Sequence, residues 1–349
     1  MVSCSLPCNL SPVTRNLLLL PMPFDIHLPQ RRLSEAKGIW LDRLLVDDLD
    51  DAVAATPDRL AFVGWNSILG REIRLTYAQL AERVERIAHG LIGLGVGRGD
   101  VVAFQLPNWW EFTALVYACN RIGAVANPLM PIFRERELLY MLGFAEAKVA
   151  VVPAQWRGFD HAAMLARLRS QLPHLKHALV VGGADDVSFE QALLQHAPTP
   201  AERIVFADCR ASPNDLALIM YTSGTTGEPK GAMHTSNTLL ASPTGMLRDI
   251  PLTADDVVLM GSPYAHLTGF LYGLMLPMRL GTTAVALDIW SSAAAADLVD
   301  EQRCTFTMGA TPFLSDLVNI APALRGKLKT LRTMICGGAP IPRVLVQRA

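Results

Sequence analysis

The chain has 349 residues, of which 51% are apolar and 18% charged, with a formal net charge of −1. That length supports two or three structural units with real cores, and the composition excludes a disordered chain. The near-zero charge offers nothing to a nucleic-acid partner. Six cysteines (Cys4, Cys8, Cys119, Cys209, Cys304 and Cys336) are scattered, and Cys4 and Cys8 lack a second Cys/His pair at zinc spacing. This usage predicts reduced thiols, mostly buried, and a cytoplasmic protein.

Residues 1–30 carry Pro7, Pro12, Pro21, Pro23 and Pro29, and their apolar run, Leu17 to Leu20, is shorter than a signal-peptide core. They are expected to form a flexible leader. Leu41, Leu44, Leu45, Leu49 and Val53 recur at helical spacing up to Pro57. Leu60–Trp65 and Arg71–Leu75 flank a turn and predict a hairpin. Thr76 and Gln79 form a capping box that opens a helix to about Leu94, stopped by Gly95. Strands follow at Val101–Leu106, Ala124–Asn127, Lys148–Val152 and Ala178–Val181. Helices are expected at Trp109–Ile122, Arg134–Gly143 and about Phe159–Gln171. Asp208–Asn214 reads as a connector, and His234–Leu240 starts another helix. Val257–Met260, Thr283–Leu287, Thr305–Gly309 and Thr333–Ile335 continue the rhythm of strands. Alternating strands and helices imply an α/β fold of layered, mainly parallel sheets flanked by helices. No stretch is long and apolar enough for a transmembrane helix.

The chemistry concentrates after the apolar run Leu216–Tyr221, which predicts a buried strand feeding a loop. The loop, Thr222-Ser223-Gly224-Thr225-Thr226-Gly227, holds four hydroxyls and two glycines in six residues, with Lys230 just beyond. Glycines let backbone N–H groups close on a ligand, and many donors with one cation suit a polyphosphate. Polar turns of this composition are usually plain surface loops. The dense donors, the preceding strand and the lysine favour phosphate binding. A Walker-type loop is excluded, because neither glycine is followed by Gly-Lys at the required offset.

Thr222 to Gly231 resembles the phosphate-loop signature of the adenylate-forming (AMP-binding) superfamily, [ST]-S-G-[ST]-T-G-x-P-K-G, at every fixed position. Leu75-Thr76-Tyr77-Ala78-Gln79-Leu80 is similar to the family's first core motif, and Gly123 to Pro131 to its second. The resemblance covers residues 36–349. It implies ATP-dependent activation of a carboxylic acid to an acyl-adenylate, then transfer to coenzyme A, with ATP, Mg²⁺ and coenzyme A as cofactor and cosubstrates. Thr222, Ser223, Gly224, Thr225, Thr226, Gly227 and Lys230 would hold the ATP phosphates. Pro263-Tyr264-Ala265-His266-Leu267-Thr268-Gly269 resembles the family's P-x-x-H-x-x-G segment. That places His266 beside the acyl carboxylate as the catalytic residue, with Phe270 and Leu271 as acyl-pocket walls. A lone histidine on an apolar stretch is otherwise more often a core residue. Gly337-Gly338-Ala339-Pro340 resembles the adenine-contacting turn.

No acidic residue lies between Asp256 and Asp288 to pair with an amino-acid ammonium. Plain carboxylic acids, of the aryl, alicyclic or medium-chain kind, are therefore favoured over amino acids. The family's Tyr-Gly-x-Thr-Glu and Thr-Gly-Asp segments and its small lid domain with a catalytic lysine do not occur in the sequence. The resemblance therefore implies an incomplete adenylation domain over residues 31–349. Its first α/β subdomain is expected at about 31–207, and its second, with the phosphate loop, at 208–349. No metal ligand is assigned within the chain, and the main Mg²⁺ ligand is expected outside it. The chain alone is expected to lack full activity, with a partner chain as one source of the rest. A non-catalytic nucleotide-binding remnant and an amino-acid adenylation domain stand as alternatives.

Overall fold

The computed structural model describes residues 40–222 and 229–349. Its strands, in chain order, are β1 (Leu60–Asn66), β2 (Arg71–Thr76), β3 (Val101–Phe104), β4 (Val125–Pro128), β5 (Val149–Pro153), β6 (Gln155–Trp156), β7 (Phe159–Asp160), β8 (His177–Val181), β9 (Leu216–Thr222), β10 (Lys230–Thr235), β11 (Val257–Met260), β12 (Thr283–Leu287), β13 (Phe306–Gly309) and β14 (Thr333–Cys336). One six-stranded sheet runs β14-β13-β11-β12-β1-β2, a second runs β10-β9-β4-β3-β5-β8, and β6–β7 form a small separate hairpin. Both large sheets are parallel except at one end, where β2 and β10 pair antiparallel with β1 and β9.

The layers follow from the two-residue period of the strands. In β3, Val102 and Phe104 face the large central core, while Val101 and Ala103 face a second core under the helices Glu135–Phe144 and His161–Leu168. β5 alternates likewise, with Val149 and Val151 inward and Ala150 and Val152 outward. In the other sheet, Phe62 and Ala286 join the central core, while Val63, Val285 and Leu287 pack outward with the helix Ser292–Gln302. The helices Leu45–Ala55, Tyr77–Gly93 and Trp110–Ile122 supply the rest of the central core. The architecture is therefore helix, sheet, helix, sheet, helix, and the middle helices are covered on both sides. Eleven of the thirteen residues of Trp110–Ile122 are buried.

Two expectations are corrected. The sheets do not divide at 207/208. β1 pairs with β12 and brings β2 with it into the sheet of the late strands, and β9, pairing with β4, brings β10 into the sheet of the early strands. Each apolar strand needs both faces covered, and crossovers supply that from distant parts of the chain. The helix placed from His234 instead starts at Ser236, because Lys230 to Thr235 pair with β9 and Thr235 caps the helix through Thr238 N–H, at 3.2 Å. A helix at Pro200–Asp208 was not foreseen, although Thr199 and Glu202 form a capping box around Pro200 at its first turn. The expected leader lies outside the described residues.

Candidate active site

The described sequence-derived site residues lie at or just beyond the carboxyl ends of β9, β11 and β14, where open α/β sheets place their ligand crevices. β9 ends at Thr222, and Lys230 opens β10 directly opposite it. The Thr222 hydroxyl donates to the Lys230 carbonyl at 3.4 Å, and both residues are exposed. Ser223, Gly224, Thr225, Thr226 and Gly227 lie outside the described residues. β9 is held in place by Asn127 of β4, whose Nδ2 donates to the Ile219 carbonyl at 2.8 Å. The Tyr221 hydroxyl donates to the Met141 carbonyl at 2.8 Å.

His266 lies on the segment that leaves β11. Its backbone N–H donates to the Pro263 carbonyl at 3.0 Å, and its carbonyl accepts from Phe270 N–H at 2.9 Å. The exposed ring accepts Thr268 N–H at Nδ1, at 3.3 Å. In the neutral ring that contact leaves the proton on Nε2. Gly269 closes the turn. A Cβ there would stand 2.1 Å from the Pro263 carbonyl oxygen and 2.7 Å from that of Ser262. Gly269→Ala is therefore expected to cost about 1–3 kcal/mol of stability, because backbone cannot step aside. Denaturant unfolding would check this against Gly326→Ala, whose added Cβ meets nothing within 4 Å. Equal losses would overturn the close-approach argument.

Phe270 and Leu271 belong to a π-helical stretch, Gly269–Met275, of a kind often found at functional sites. Both side chains are buried in the central core that also holds Phe104, Phe112 and Met220. A wall made from them admits a ligand only after side-chain rotation.

The Gly337–Pro340 turn follows β14 at the edge of the sheet. Gly337 N–H donates to the Gly309 carbonyl at 3.2 Å, and the Thr311 hydroxyl donates to the Pro340 carbonyl at 3.1 Å. Gly338 has φ +83°, a conformation that favours glycine, and residues 338–340 are exposed. Only β13 separates β14 from β11, so the ends of these two strands are about 10 Å apart at ordinary strand spacing.

The two sheets meet at a residue that sequence reasoning missed. Asn108, just past β3, is buried and makes three hydrogen bonds to the other sheet's carboxyl end. Its Nδ2 donates to the Ser262 and Leu287 carbonyls at 3.0 and 3.1 Å, and its Oδ1 accepts Tyr264 N–H at 2.7 Å. Asn108 thus fixes the start of the segment carrying His266. A polar residue directly after an apolar strand and a proline was the available signal.

Among the described residues no three His, Cys, Asp or Glu side chains are grouped to hold a metal ion. Cys119, Cys209 and Cys304 are free and buried, and burial pushes their thiols up, Cys209 to about 11. No helix among the described residues is long and apolar enough to cross a membrane.

Comparison with known proteins gives the family of the chain. The model of the AMP-binding enzyme family matches residues 49–349, and the chain belongs to that family. It is 35% identical over 316 residues to the medium-chain fatty-acid–CoA ligase of Escherichia coli (strain K12), covering 90% of this chain and 54% of that protein. It is 32% identical over 293 residues to the salicyl-AMP ligase / salicyl-S-ArCP synthetase of Mycobacterium tuberculosis, covering 82% of this chain and 49% of that one. Among solved structures, apo MbtA of Mycobacterium smegmatis superposes with a TM-score of 0.78 at 29% identity, over 92% of this chain and 57% of the other. The chain spans about half the length of the curated relatives it matches.

Proposed function

We propose that this chain carries the ATP and acid sites of an AMP-forming acid–CoA ligase. The observation that carries the reading is the Thr222-to-Gly231 signature, which starts at the carboxyl end of β9 and whose Lys230 pairs opposite Thr222. In the proposed reaction a carboxylate oxygen attacks the α-phosphorus of ATP. An acyl-oxygen–phosphorus bond forms, the α–β phosphoanhydride bond breaks, and pyrophosphate leaves with the electron pair. A thiolate then attacks the acyl carbon and releases AMP.

Thr222, Ser223, Gly224, Thr225, Thr226, Gly227 and Lys230 hold the β- and γ-phosphates, where donors and a cation stabilise the developing charge. Gly337, Gly338, Ala339 and Pro340 form the adenine wall. His266 donates from Nε2 to the acid's carboxylate, and Phe270 and Leu271 border the acyl chain. Coenzyme A is the proposed acceptor, supported by the acid–CoA ligase at 35% identity.

The acid is a simple one, because residues 257–287 offer no carboxylate to an α-ammonium. The test is calorimetric binding of non-hydrolysable acyl-adenylate analogues to the chain. Hexanoyl and benzoyl analogues are expected to bind at least about tenfold more tightly than the alanyl analogue, since an unpaired buried ammonium is costly. Equal or reversed preference would sink the simple-acid reading, and failure of all three analogues to bind would sink the adenylate site itself.

A further inference from the structure

The β1–β2 hairpin ends in a tip unlike an ordinary turn. Turn tips favour Gly, Asn, Asp and Ser, yet this one presents Ile68 and Leu69, 51% and 55% exposed, with Trp65 behind them at 42%. The tip is not loose. Asn66 Oδ1 accepts the N–H groups of both Ile68 and Leu69 at 3.0 Å. Ser67 N–H donates to Asp288 Oδ2 at 2.8 Å, and Trp109 Nε1 donates to the same oxygen at 3.0 Å. Gly70, at φ +61°, completes the turn. The apolar tip is thereby fixed to the end of β12 and the loop after β3, and little ordering remains to be done on binding.

Indoles and guanidiniums flank the base of the tip. Trp65, Trp109 and Trp110 line one small cleft with Ile73. The Arg83 guanidinium lies 5.0 Å from the Trp110 ring centroid, and Arg71, opposite Asn66, is exposed. Of the two acids nearby, Asp288 is held by Ser67 N–H and Trp109 Nε1, and Glu72 is engaged by Arg74 and by Gln302. An aliphatic tip with Arg71 and Trp65 on the two cross-strand pairs next to it has the composition of a lipid interface, in which Trp sits at the headgroups and Arg meets phosphate. The feature is convex, so a rigid protein partner would need a matching groove, whereas a bilayer deforms around it.

We propose that this hairpin docks the chain on an anionic lipid surface, with Ile68 and Leu69 inserted, Trp65 at the headgroups and Arg71 on a lipid phosphate. The proposal does not depend on the assignment of the adenylate site. Two aliphatic side chains give weak, reversible attachment, matched to a surface that the protein visits.

The test is vesicle flotation of the whole chain with phosphatidylcholine alone and with added phosphatidylglycerol, paired with sedimentation velocity. The wild type is expected to float with the anionic vesicles, and the Ile68→Asp/Leu69→Asp double variant to lose about tenfold or more of that binding. Arg71→Ala should reduce binding to the anionic vesicles selectively. Thermal unfolding of the variants should match the wild type, since the altered side chains are exposed. Three results would each overturn the proposal. The first is no flotation of the wild type, and the second is flotation undiminished in the double variant. The third is wild-type self-association that the double variant abolishes without any vesicle binding, which would assign the tip to a second copy of the chain.

Discussion

Lys230→Ala is expected to weaken ATP binding roughly ten- to hundredfold and to leave AMP binding within about twofold of the wild type, because one charge-assisted contact to phosphate is lost. Lys230 is exposed at the start of an end strand and pairs in register with Thr222. Its truncation therefore removes an ammonium without opening the core. Lys230→Arg should recover part of the loss, since the charge remains while its shape changes. Calorimetric titration of both nucleotides against the three proteins measures the contrast. Equal losses for ATP and AMP would show that Lys230 does not face the terminal phosphates.

Glu111→Gln is expected to change how stability depends on pH. Glu111 stands in the first turn of Trp110–Ile122, buried between the layers, and its Oε2 has no protein hydrogen-bond partner. Desolvation raises its pKa to about 8 from 4.5; its own backbone N–H and Arg83 oppose that shift, while Glu190 adds to it. The folded state thus holds a proton that the unfolded state releases. The contribution of Glu111 to stability is fully present below about pH 4.5, falls as pH rises through the window, and is lost above about pH 8. The total is roughly 2–5 kcal/mol, an upper range set by the shift. Glutamine keeps the shape of the protonated acid and does not titrate, so the variant should lose this component and gain on the wild type at high pH. Urea unfolding at about pH 5 and about pH 9 would check it. Parallel pH profiles for the two proteins would overturn the assignment.

Local structure was legible where a single segment carries its own instruction. The box of Thr76 and Gln79 forms as read, with Gln79 N–H on the Thr76 hydroxyl at 3.2 Å and Thr76 N–H on Gln79 Oε1 at 3.0 Å. The apolar run of β9 ends where the hydroxyl-rich stretch begins. Sheet membership was not legible, because β1 and β3 are both short apolar runs and nothing within either names its neighbour. Burial in the middle layer was equally hidden. An acid in a helix's first turn suits the helix dipole and is ordinarily solvated, and only the second sheet makes Glu111 an interior residue. Asn120 sits on the same helix with its polar atoms satisfied by Val46 N–H and the Ser236 hydroxyl, at 3.0 and 3.1 Å. No spacing rule links residues so far apart. His266 was singled out only through its motif, while the residue that fixes its segment, Asn108, follows a strand of the other sheet.

The return of β1 to β12 has a consequence for synthesis. The Leu60 carbonyl accepts its hydrogen bond from a Thr283 hydroxyl 223 residues downstream. At about 5–20 residues per second, the hairpin waits roughly 10–45 s on the ribosome for that strand. Meanwhile β3, β4, β5, β8, β9 and β10 are all present once Thr235 has emerged, so that sheet can assemble first. An isolated two-stranded hairpin is marginal in water, and Phe62 and Val63 stay uncovered until β12 arrives. A lesion in residues 257–287 would therefore show itself at the other end of the polypeptide, as a nascent hairpin free to aggregate, and soluble yield would report on residues that the hairpin meets last.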